Sequence, residues 1–530
     1  MSNLIAPENY NFTREVEKFA ENPDQVAIKW VNETGWVKNI TYAVLAEKLN
    51  QYANALSRIG LKKGDRVLVI TQRVPESYII YLACLKAGIV IIPCSEMLRA
   101  SDLVYRINHS GAKAVIVYNR LTEEVDKIKE PVPSLKYKLI IGDYTRQGWE
   151  SLTKLAEKES TYFDKVQTKC DEMALLPYTS GTTGNPKAVV HTHNWFYAHL
   201  QVAPKLWLNI RESDLVWATA APGWQKWVWS PFVSTLGMGA CGFVYNSRFD
   251  AEKYLQLIQD YKINVLCCTP TEYRFMAKSG KLDQYNLSSL RSAVSAGEPL
   301  NIQVIDAFRK YSGITVRDGY GQTENTLLIG TTPELEVRKG SMGKPVPGYR
   351  VEVINSKGEP CKAGEVGDIA VHKDTPTLFK EYYKDEERTK NSFRGEWYLT
   401  GDRAKKDEDG YFWYEGRSDD IIISSGYTIG PFEVEDALMK HPLVRECAVV
   451  ASPDPDRGAV VKAFVVLIDK NIPKDDELIK ALQEHVKKMT APYKYPRKIE
   501  FIDELPKTPS GKIRRVELRQ RERESLQNKS

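Results

Sequence analysis

The chain has 530 residues, of which 42% are hydrophobic and 27% are charged, and its formal net charge is +5. This length is too great for one hydrophobic core, so it predicts two or more domains of ordinary globular composition. The small, interspersed charge provides no basic stripe for nucleic acid and no polybasic arm for a membrane surface.

Three features of the sequence bear on the cellular location of the protein. Residues 1–10 lack a basic segment followed by an apolar one, so we expect no secretion signal. The most apolar stretch, residues 78–94, is interrupted by Lys86 and Gly88, which favours a buried helix and strand over a membrane span. The eight cysteines form no C-x-x-C pair, which favours free thiols in a reducing cytoplasm.

The N-terminal 350 residues predict alternating strands and helices, the pattern of α/β domains. We expect a hairpin at 24–40 and a helix that is capped by Thr41 and ends near Arg58. Further elements follow as strands 66–70, 88–93, 114–118 and 137–142 and helices 75–87 and 101–110. A second α/β unit has strands 264–268, 292–295 and 315–316 and helices that begin at Thr271 and Asn301. The continuous apolar strands predict sheets that are buried on both faces.

The pattern changes after residue 349. Alternating residues with turns at 356–360 and 362–364 predict a small antiparallel barrel or sheet. From about residue 418, helices 432–440 and 475–488 and strands 446–451, 460–468 and 498–501 predict a small α+β domain. The basic run 512–523, which is broken by Glu517 and Glu522, predicts a solvated helix face. The expected fold is therefore an α/β N-terminal domain of residues 1–417, with two α/β subdomains and a β-barrel, and an α+β C-terminal domain of residues 418–530.

Residues 178–187 form a segment rich in glycine and hydroxyl groups, Tyr-Thr-Ser-Gly-Thr-Thr-Gly-Asn-Pro-Lys. Such a loop can turn tightly and direct backbone N–H groups, hydroxyls and an ammonium group at a polyphosphate. It lacks the Gly-Lys-Ser/Thr of a Walker A loop. An ordinary surface turn is the alternative, but so many hydroxyls and a lysine exceed what a turn needs. We predict a phosphate loop of another kind.

Several other loops carry polar groups. Residues 295–299 and 318–324 each follow a predicted buried strand, where α/β sheets place ligands. In the second of these loops, Tyr320 could stack on a base, Thr323 could donate to a phosphate and Glu324 could hold Mg²⁺. Asp402 and Arg417 could bind ribose hydroxyls or pair with each other. By contrast, the Gly-x-Gly-x-x-Gly at 237–242 precedes a strand-like segment, so we do not expect it to bind a dinucleotide.

Taken in order, these loops, together with the Gly-Arg-Ser-Asp-Asp at 416–420 and the Pro-Lys-Thr-Pro-Ser-Gly-Lys at 506–512, resemble the adenylate-forming acyl-CoA synthetase superfamily. The resemblance covers residues 10–520. Segments 424–433 and 490–500 are most similar to medium-chain enzymes and to bacterial enzymes for short branched acids such as methylbutyrate or isobutyrate. The resemblance implies an acid–CoA ligase that uses ATP, Mg²⁺ and CoA. A small carboxylic acid would be converted to acyl-AMP, and its acyl group would then be transferred to CoA.

The resemblance also implies a role for each nucleotide motif. The residues expected to wrap the β- and γ-phosphates are Thr179, Ser180, Gly181, Thr182, Thr183, Gly184 and Lys187. The residues expected around the adenine are Gly297, Glu298, Pro299, Asp318, Gly319 and Tyr320, with Gly321 and Gln322 beside them. Thr323 would contact the α-phosphate and Glu324 would hold Mg²⁺. Asp402 and Arg417 would bind the ribose.

The remaining implied roles concern the acid, CoA and domain motion. Asp419 would be the hinge of a mobile C-terminal domain, and Lys512 would be the adenylation lysine. Trp224 and Lys226 would belong to the acyl pocket, although a buried core tryptophan is nearly as good an interpretation of Trp224. The expected CoA residues are Ser425, Gly426 and Tyr427 at the pantetheine tunnel and Arg457 and Lys487 near the nucleotide. We expect His191 and His193 to be structural.

One position departs from the family pattern. Thr428 stands where family members commonly carry an arginine, so one phosphate contact is left unassigned. Two alternatives to a CoA ligase remain: an adenylating module that loads a carrier protein, and a non-catalytic nucleotide-binding protein. Glu324 and Lys512 weigh against the second alternative, because binding alone needs neither. Lys512, in an exposed turn, could also be a substrate for a lysine acetyltransferase and deacetylase.

Overall fold

The computed structural model describes residues 4–142, 144–164, 166–179, 186–298, 300–418, 420–424, 427–454, 457–507 and 513–527. The chain forms two compact units. The first unit consists of Met1–Lys339, Gly343–Arg350 and His372–Asn391, and the second consists of Gly340–Met342, Val351–Val371 and Ser392–Ser530. Because Asp419 lies outside the described residues, a hinge at this position stays a prediction.

One sheet of the first unit is built from continuous apolar runs, as predicted. Its strands in spatial order are His191–Thr192, Met173–Leu175, Val90–Cys94, Arg66–Ile70, Ala114–Tyr118, Tyr137–Ile141 and Glu150–Ser151. All pairs are parallel except the first. Val67 and Val69 pack into one hydrophobic core, whereas Leu68 and Ile70 pack into another. Because alternate residues of a strand point to opposite faces, both faces of this sheet are buried.

A second sheet supplies the other α/β layer. Its strands in spatial order are Ser341–Pro345, Leu327–Gly330, Val316–Gly321, Ser292–Ala296, Val265–Cys268, Leu215–Ala218, Cys241–Tyr245, Val26–Val31 and Val37–Thr41. The six strands from Val316–Gly321 to Val26–Val31 run parallel. Residues 237–242 lead into the strand Cys241–Tyr245, so they lack the helix that a dinucleotide fingerprint requires. A short hairpin pairs Tyr178–Thr179 with Lys187–Ala188.

Helices cover both sheets. The α-helices of the first unit are Thr13–Glu17, Tyr42–Arg58, Pro75–Lys86, Ala100–Ser110, Thr122–Asp126, Leu152–Ala156, His193–Val202, Gln225–Trp227, Thr235–Gly237, Ala251–Tyr261, Pro270–Lys278, Ile302–Ser312 and Glu386–Asn391. Short 3₁₀ segments occupy Lys18–Glu21, Asn119–Leu121 and Leu282–Gln284, and π-helical segments occupy Ala203–Trp207 and Val228–Ser234. The Thr41 hydroxyl caps its helix as predicted, because it accepts a hydrogen bond from the Val44 N–H at 3.3 Å.

The stretch that was the best sequence candidate for a membrane span is a buried helix and strand, as predicted. Pro75–Lys86 is buried on nearly every side, and Val90–Cys94 is buried throughout. Across the part of the chain that the structure describes, no helix combines the length and the apolar character needed to cross a membrane. All eight cysteines are free thiols, which also agrees with the prediction.

The described strands of the second unit fall into three groups. Val351–Ile354, Val366–His372, Trp397–Lys406 and Phe412–Arg417 form an antiparallel sheet with Phe393–Arg394 at its side. Ile422–Ser424 pairs with Tyr427–Ile429. The third sheet consists of Val444–Asp454, Gly458–Leu467 and Lys498–Phe501. The helices are Pro431–Met439, Asp476–Met489, Arg515–Gln527 and the 3₁₀ turn Pro492–Lys494. The α+β character agrees with the prediction.

The basic C-terminal helix is not simply a solvated face. Leu518 is buried, and the buried Glu522 forms an ion pair with Lys462. Arg515 makes a bidentate contact with the buried Glu435, whose Oε1 and Oε2 both lie within 2.8 Å of Nη2. The prediction of a solvated face was wrong for these positions, because a count of charges cannot reveal which of them have a buried partner.

We expect Arg515→Met to destabilise the protein by about 3 kcal/mol, because it leaves the Glu435 charge buried without its cation. The side chains of Arg515 and Glu435 are 24% and 9% exposed. Urea denaturation followed by circular dichroism measures the change. Arg514→Met is the control: Arg514 pairs with Glu517 at the surface, so the shift should stay within about 0.5 kcal/mol. Equal shifts for the two variants would contradict the assignment.

Candidate active site

A buried carboxylate, Glu324, lies at the centre of the candidate site. Its side chain is 8% exposed, and its Oε1 lies 2.7 Å from Lys187 Nζ. The Tyr382 hydroxyl donates a hydrogen bond to the same oxygen at 2.9 Å. Burial by itself raises the pKa of a carboxyl group, but the Lys187 ammonium beside Glu324 lowers its pKa below the usual value. Glu324 is therefore charged at neutral pH.

The segment that carries Thr323 and Glu324 is held by side chains from 191–199. The His191 Nε2 lies 2.6 Å from the Thr323 carbonyl oxygen, and the Trp195 Nε1–H donates to the Asn325 carbonyl at 2.8 Å. His199 contacts the Thr326 hydroxyl through Nδ1. Trp195 and His199 are one helical turn apart, so they share a face of the helix. The backbone beside Glu324 is thus held by the strand His191–Thr192 and by the helix His193–Val202 that follows it.

The buried histidines are neutral. Burial lowers the pKa of His191 to about 4 and the pKa of His199 to about 3. A carbonyl oxygen only accepts hydrogen bonds, so Nε2 of each ring carries the proton, given that His199 Nε2 lies 2.9 Å from the Trp229 carbonyl. The geometry agrees with the structural role expected of His191, which also orients Thr323.

The two ends of the predicted phosphate loop are held by one helix, Ala100–Ser110. The His109 Nδ1 lies 2.9 Å from the Tyr178 hydroxyl, and the Tyr105 hydroxyl donates to the Pro186 carbonyl at 3.0 Å. The buried hydroxyl of Thr179 has no hydrogen-bond partner among the described residues. The rest of the predicted loop, Ser180, Gly181, Thr182, Thr183 and Gly184, lies outside the described residues.

The predicted adenine residues lie at the ends of two adjacent parallel strands. Asp318, Gly319 and Tyr320 belong to the strand Val316–Gly321 itself, so the prediction that they form a loop after a strand at 315–316 was wrong. Ala296 pairs with Gly319, so Gly297 and Tyr320 follow at the same edge of the sheet. Asp318 is buried, which raises its pKa to about 7, although it accepts a hydrogen bond from the Gly319 N–H at 2.8 Å. Gly321, the last residue of its strand, packs directly against the backbone of Thr326. An added Cβ would lie 2.0 Å from the Thr326 carbonyl oxygen, so this position has no room for a side chain.

The flanking residues of this edge are tied to neighbouring elements. Glu298 accepts a hydrogen bond from the Thr271 hydroxyl at 2.9 Å, and Gln322 donates its backbone N–H to the Asn325 side chain at 3.0 Å. Pro299 lies outside the described residues. The carboxyl edge of this sheet is where open α/β sheets bind ligands. The described residues of both segments lie near this edge, and adenine binding stays a prediction.

The two residues predicted for the acyl pocket have different surroundings. Trp224 is half-buried and precedes the short helix Gln225–Trp227. The Lys226 Nζ donates to the Ala296 carbonyl at 2.6 Å, which brings it to the strand beside Asp318. Gly223 permits the turn: its φ is +92°, and an added Cβ would lie 2.5 Å from the backbone of Cys94.

Within the second unit, Asp402 and Arg417 stand opposite each other on adjacent strands. Their Oδ1 and Nη1 atoms are 3.5 Å apart, and the Tyr414 hydroxyl donates to the same Oδ1 at 3.2 Å. Of the two alternatives that the sequence left open, mutual pairing is the one that the structure shows. Ribose binding stays a prediction.

Other predicted residues have less defined surroundings. Asp419, Ser425, Gly426 and Lys512 lie outside the described residues. Tyr427 and Thr428 belong to the strand Tyr427–Ile429. Arg457 is exposed, and its N–H donates to Asp454 at 3.0 Å. The Lys487 Nζ lies 2.7 Å from Glu484 Oε1 and 4.3 Å from the centroid of the Tyr495 ring. An isolated antiparallel bridge pairs Lys507 with Ile513.

The donor set around Glu324 bears on the predicted Mg²⁺ site. Among the described residues, no three His, Cys, Asp or Glu side chains lie together as a metal cage. Mg²⁺ needs no such cage, because it commonly takes one or two protein carboxylates and completes its shell with water and phosphate oxygens. A single charged and buried Glu324 therefore fits a metal that arrives with a nucleotide.

Two family models and several proteins of known family match this chain. The family described as "AMP-binding enzyme" matches residues 16–383, and the one described as "AMP-binding enzyme C-terminal domain" matches residues 433–512. The uncharacterized acyl–CoA ligase YtcI of Bacillus subtilis is 58% identical over 526 residues, covering 99% of this chain and 98% of that protein. The mitochondrial acyl-coenzyme A synthetase ACSM3 of Rattus norvegicus is 43% identical over 529 residues, with 97% and 91% coverage.

Solved structures are similar over the whole chain. The crystal structure of the anthranilate CoA ligase AuaEII in complex with anthranoyl-AMP has a TM-score of 0.91 at 30% identity and covers 98% of this chain and 99% of its own. ATP-bound MatB from Rhodopseudomonas palustris has a TM-score of 0.86 at 28% identity, with 97% and 99% coverage.

The neutral, buried His199 predicts a pH dependence of stability. Because burial lowers its pKa to about 3, the unfolded chain, with a pKa near 6.5, binds more protons between these values. Stability from this group is therefore complete above pH 6.5 and is lost as the pH falls towards 3. We expect His199→Gln to reduce the slope of the unfolding free energy between pH 6 and 4 by up to about 1.4 kcal/mol per pH unit. Denaturant titrations at several pH values measure it, and an unchanged slope would contradict a neutral His199.

Proposed function

Because this chain belongs to the AMP-binding enzyme family and is an AMP-forming acyl-CoA synthetase, we propose that it activates a short- to medium-chain carboxylic acid, linear or branched. The acid reacts with ATP to form acyl-AMP and pyrophosphate, and the acyl group then passes to CoA with release of AMP. The observation that carries this proposal is the buried, charged Glu324 beside Lys187, at the base of the predicted phosphate loop.

The first half-reaction joins two anions. A carboxylate oxygen attacks the α-phosphorus, the bond to the bridging oxygen breaks, and the electron pair leaves with pyrophosphate. Placed positive charge lowers the repulsion between the acid and the triphosphate. We assign this role to Lys187 at the phosphate loop and to Lys512. Glu324 would hold Mg²⁺, which supplies further charge neutralisation at the phosphates when it is bound.

The second half-reaction needs access for a thiol. The CoA thiolate attacks the acyl carbonyl, and AMP leaves with the electron pair of the C–O bond. A lysine that serves adenylation would obstruct this attack, so we propose a motion about Asp419 between the two steps. Ser425, Gly426, Tyr427, Arg457 and Lys487 are the proposed CoA residues.

The choice of acid is a proposal about the pocket around Trp224 and Lys226. One methylene group changes discrimination in an apolar pocket by about 1–3 kcal/mol, so small differences in side chains decide chain length. Pyrophosphate release and thioester formation should be measured across linear, branched and aromatic acids. A preference for a phosphopantetheinyl carrier protein over free CoA would instead favour the carrier-loading alternative.

We also propose a cytoplasmic location, because the free thiols suit a reducing compartment. Acetylation of Lys512 would remove the charge that adenylation needs and silence the first half-reaction. Mass spectrometry of the protein from cells tests whether Lys512 is modified.

Lys512→Ala should abolish acyl-AMP formation from acid and ATP and largely spare thioester formation from supplied acyl-AMP, because only the first step brings two anions together. Pyrophosphate release and acyl-CoA formation are measured separately. Lys507→Ala is the control, because Lys507 belongs to the same sequence motif, 506–512, but pairs with Glu446 through contacts of 2.7 and 2.9 Å. Equal loss of both half-reactions in Lys512→Ala would contradict the role of Lys512 as the adenylation lysine.

Thr428→Arg tests the departure from the family pattern. If a phosphate contact is absent, the added guanidinium should lower the KM for ATP or raise the adenylation rate by about 10-fold, the effect of one hydrogen bond to a charged group. Steady-state kinetics of pyrophosphate release checks this. An unchanged KM for ATP and an unchanged adenylation rate would contradict the idea that a phosphate contact is missing.

A further inference from the structure

Tyr382 is a residue that no sequence motif singled out. It is 3% exposed, and its hydroxyl oxygen lies 2.8 Å from Lys187 Nζ and 2.9 Å from Glu324 Oε1. Its ring also lies beneath the lysine, with Nζ 4.5 Å from the ring centroid. Together with the 2.7 Å contact between Lys187 and Glu324, these contacts close a triangle of three polar groups.

The direction of each hydrogen bond in this triangle follows from chemistry. An ammonium group only donates, and an ionised carboxylate only accepts. Lys187 therefore donates to both oxygens, and the single hydroxyl proton of Tyr382 points to Glu324. The hydroxyl group is the one member that both accepts and donates, so it connects the cation and the anion in a fixed direction.

The backbone of Tyr382 is anchored to the chain segments of both partners. The Tyr383 N–H donates to the Ala188 carbonyl at 2.8 Å, next to Lys187. The Phe379 N–H donates to the carbonyl oxygen of Glu324 itself at 2.7 Å. The Tyr382 N–H is bound to the Thr389 hydroxyl at 3.0 Å. The position of the hydroxyl is thus set relative to Lys187 and Glu324 by backbone contacts, independently of the ion pair.

We propose that Tyr382 is a positioning residue for adenylation, which keeps the Glu324 carboxylate oriented when Lys187 turns from it to the phosphates. The proposal rests on the proposed function. Lys187 is also the cation that we assign to the triphosphate, so its contact with Glu324 would weaken as it turns to the phosphates. When it moves, the hydroxyl of Tyr382 still donates to Oε1, so the buried carboxylate keeps its orientation and one hydrogen bond, and it would be held in place for a metal.

Tyr382→Phe removes the hydroxyl and keeps the ring beside Lys187. We expect acyl-AMP formation to fall about 10- to 100-fold, as for loss of one hydrogen bond to a charged group, with a higher half-saturating Mg²⁺ concentration. Thioester formation from supplied acyl-AMP should remain within about 2-fold of the wild type. The thermal midpoint is recorded for each variant, and Tyr383→Phe is the matched control, since the Tyr383 ring lies against His109 rather than the ion pair.

A binding experiment separates this proposal from the function. Calorimetric titration with ATP, with and without Mg²⁺ and in the absence of any acid, should show tighter binding with Mg²⁺ in the wild type and a loss of that difference in Tyr382→Phe. Wild-type adenylation and Mg²⁺ dependence in the variant would overturn the proposal, as would equal slowing of both half-reactions with a lowered thermal midpoint. If no acid is activated by the wild type, the proposed function fails, whereas the titration still decides the role of Tyr382.

Discussion

The candidate site depends on keeping one carboxylate charged inside the protein. Removing a carboxylate from water costs several kcal/mol unless a cation and hydrogen bonds replace the water. Lys187 and Tyr382 provide these partners for Glu324. Around them, His191 and Trp195 hold the adjacent carbonyl groups, so the charge and the backbone that presents it are fixed together. The segments 187–199, 323–325 and 379–383 therefore meet at one ion pair.

Most of the fold was predictable because the strands are apolar runs of the right length. Arg66–Ile70, Ala114–Tyr118 and Lys498–Phe501 agree with the prediction at both ends. The strands Trp397–Lys406 and Phe412–Arg417 were missed for a physical reason. On Trp397–Lys406 the buried face carries Thr400 and Asp402, so burial alternates without alternating hydrophobicity. Asp402, which gives this strand its predicted role in ribose binding, is also one of the polar residues that obscure the strand pattern in the sequence.

The site was predictable as a set of loops but not as a set of contacts. Glu324 and Lys187 belong to recognisable local patterns, and the edge that Ala296 and Gly319 share follows from parallel strands. Tyr382 has no such pattern. Its hydroxyl meets a lysine 195 positions away because the backbone of residues 380–383 pairs with that of residues 188–190. Sequence-local reasoning cannot find a partner that only long-range pairing brings close.

The protonation state of the cysteines matters in an enzyme that forms an acyl-AMP intermediate. A mixed anhydride acylates any thiolate that reaches it, and the thiolate rather than the thiol is the nucleophile. Burial raises the pKa of Cys84 and Cys94 to about 12, and it also raises the pKa of the buried Cys267 and Cys268. These side chains stay protonated and enclosed at neutral pH. The enzyme thus makes a reactive acyl donor without offering these four sulfurs as competing acceptors.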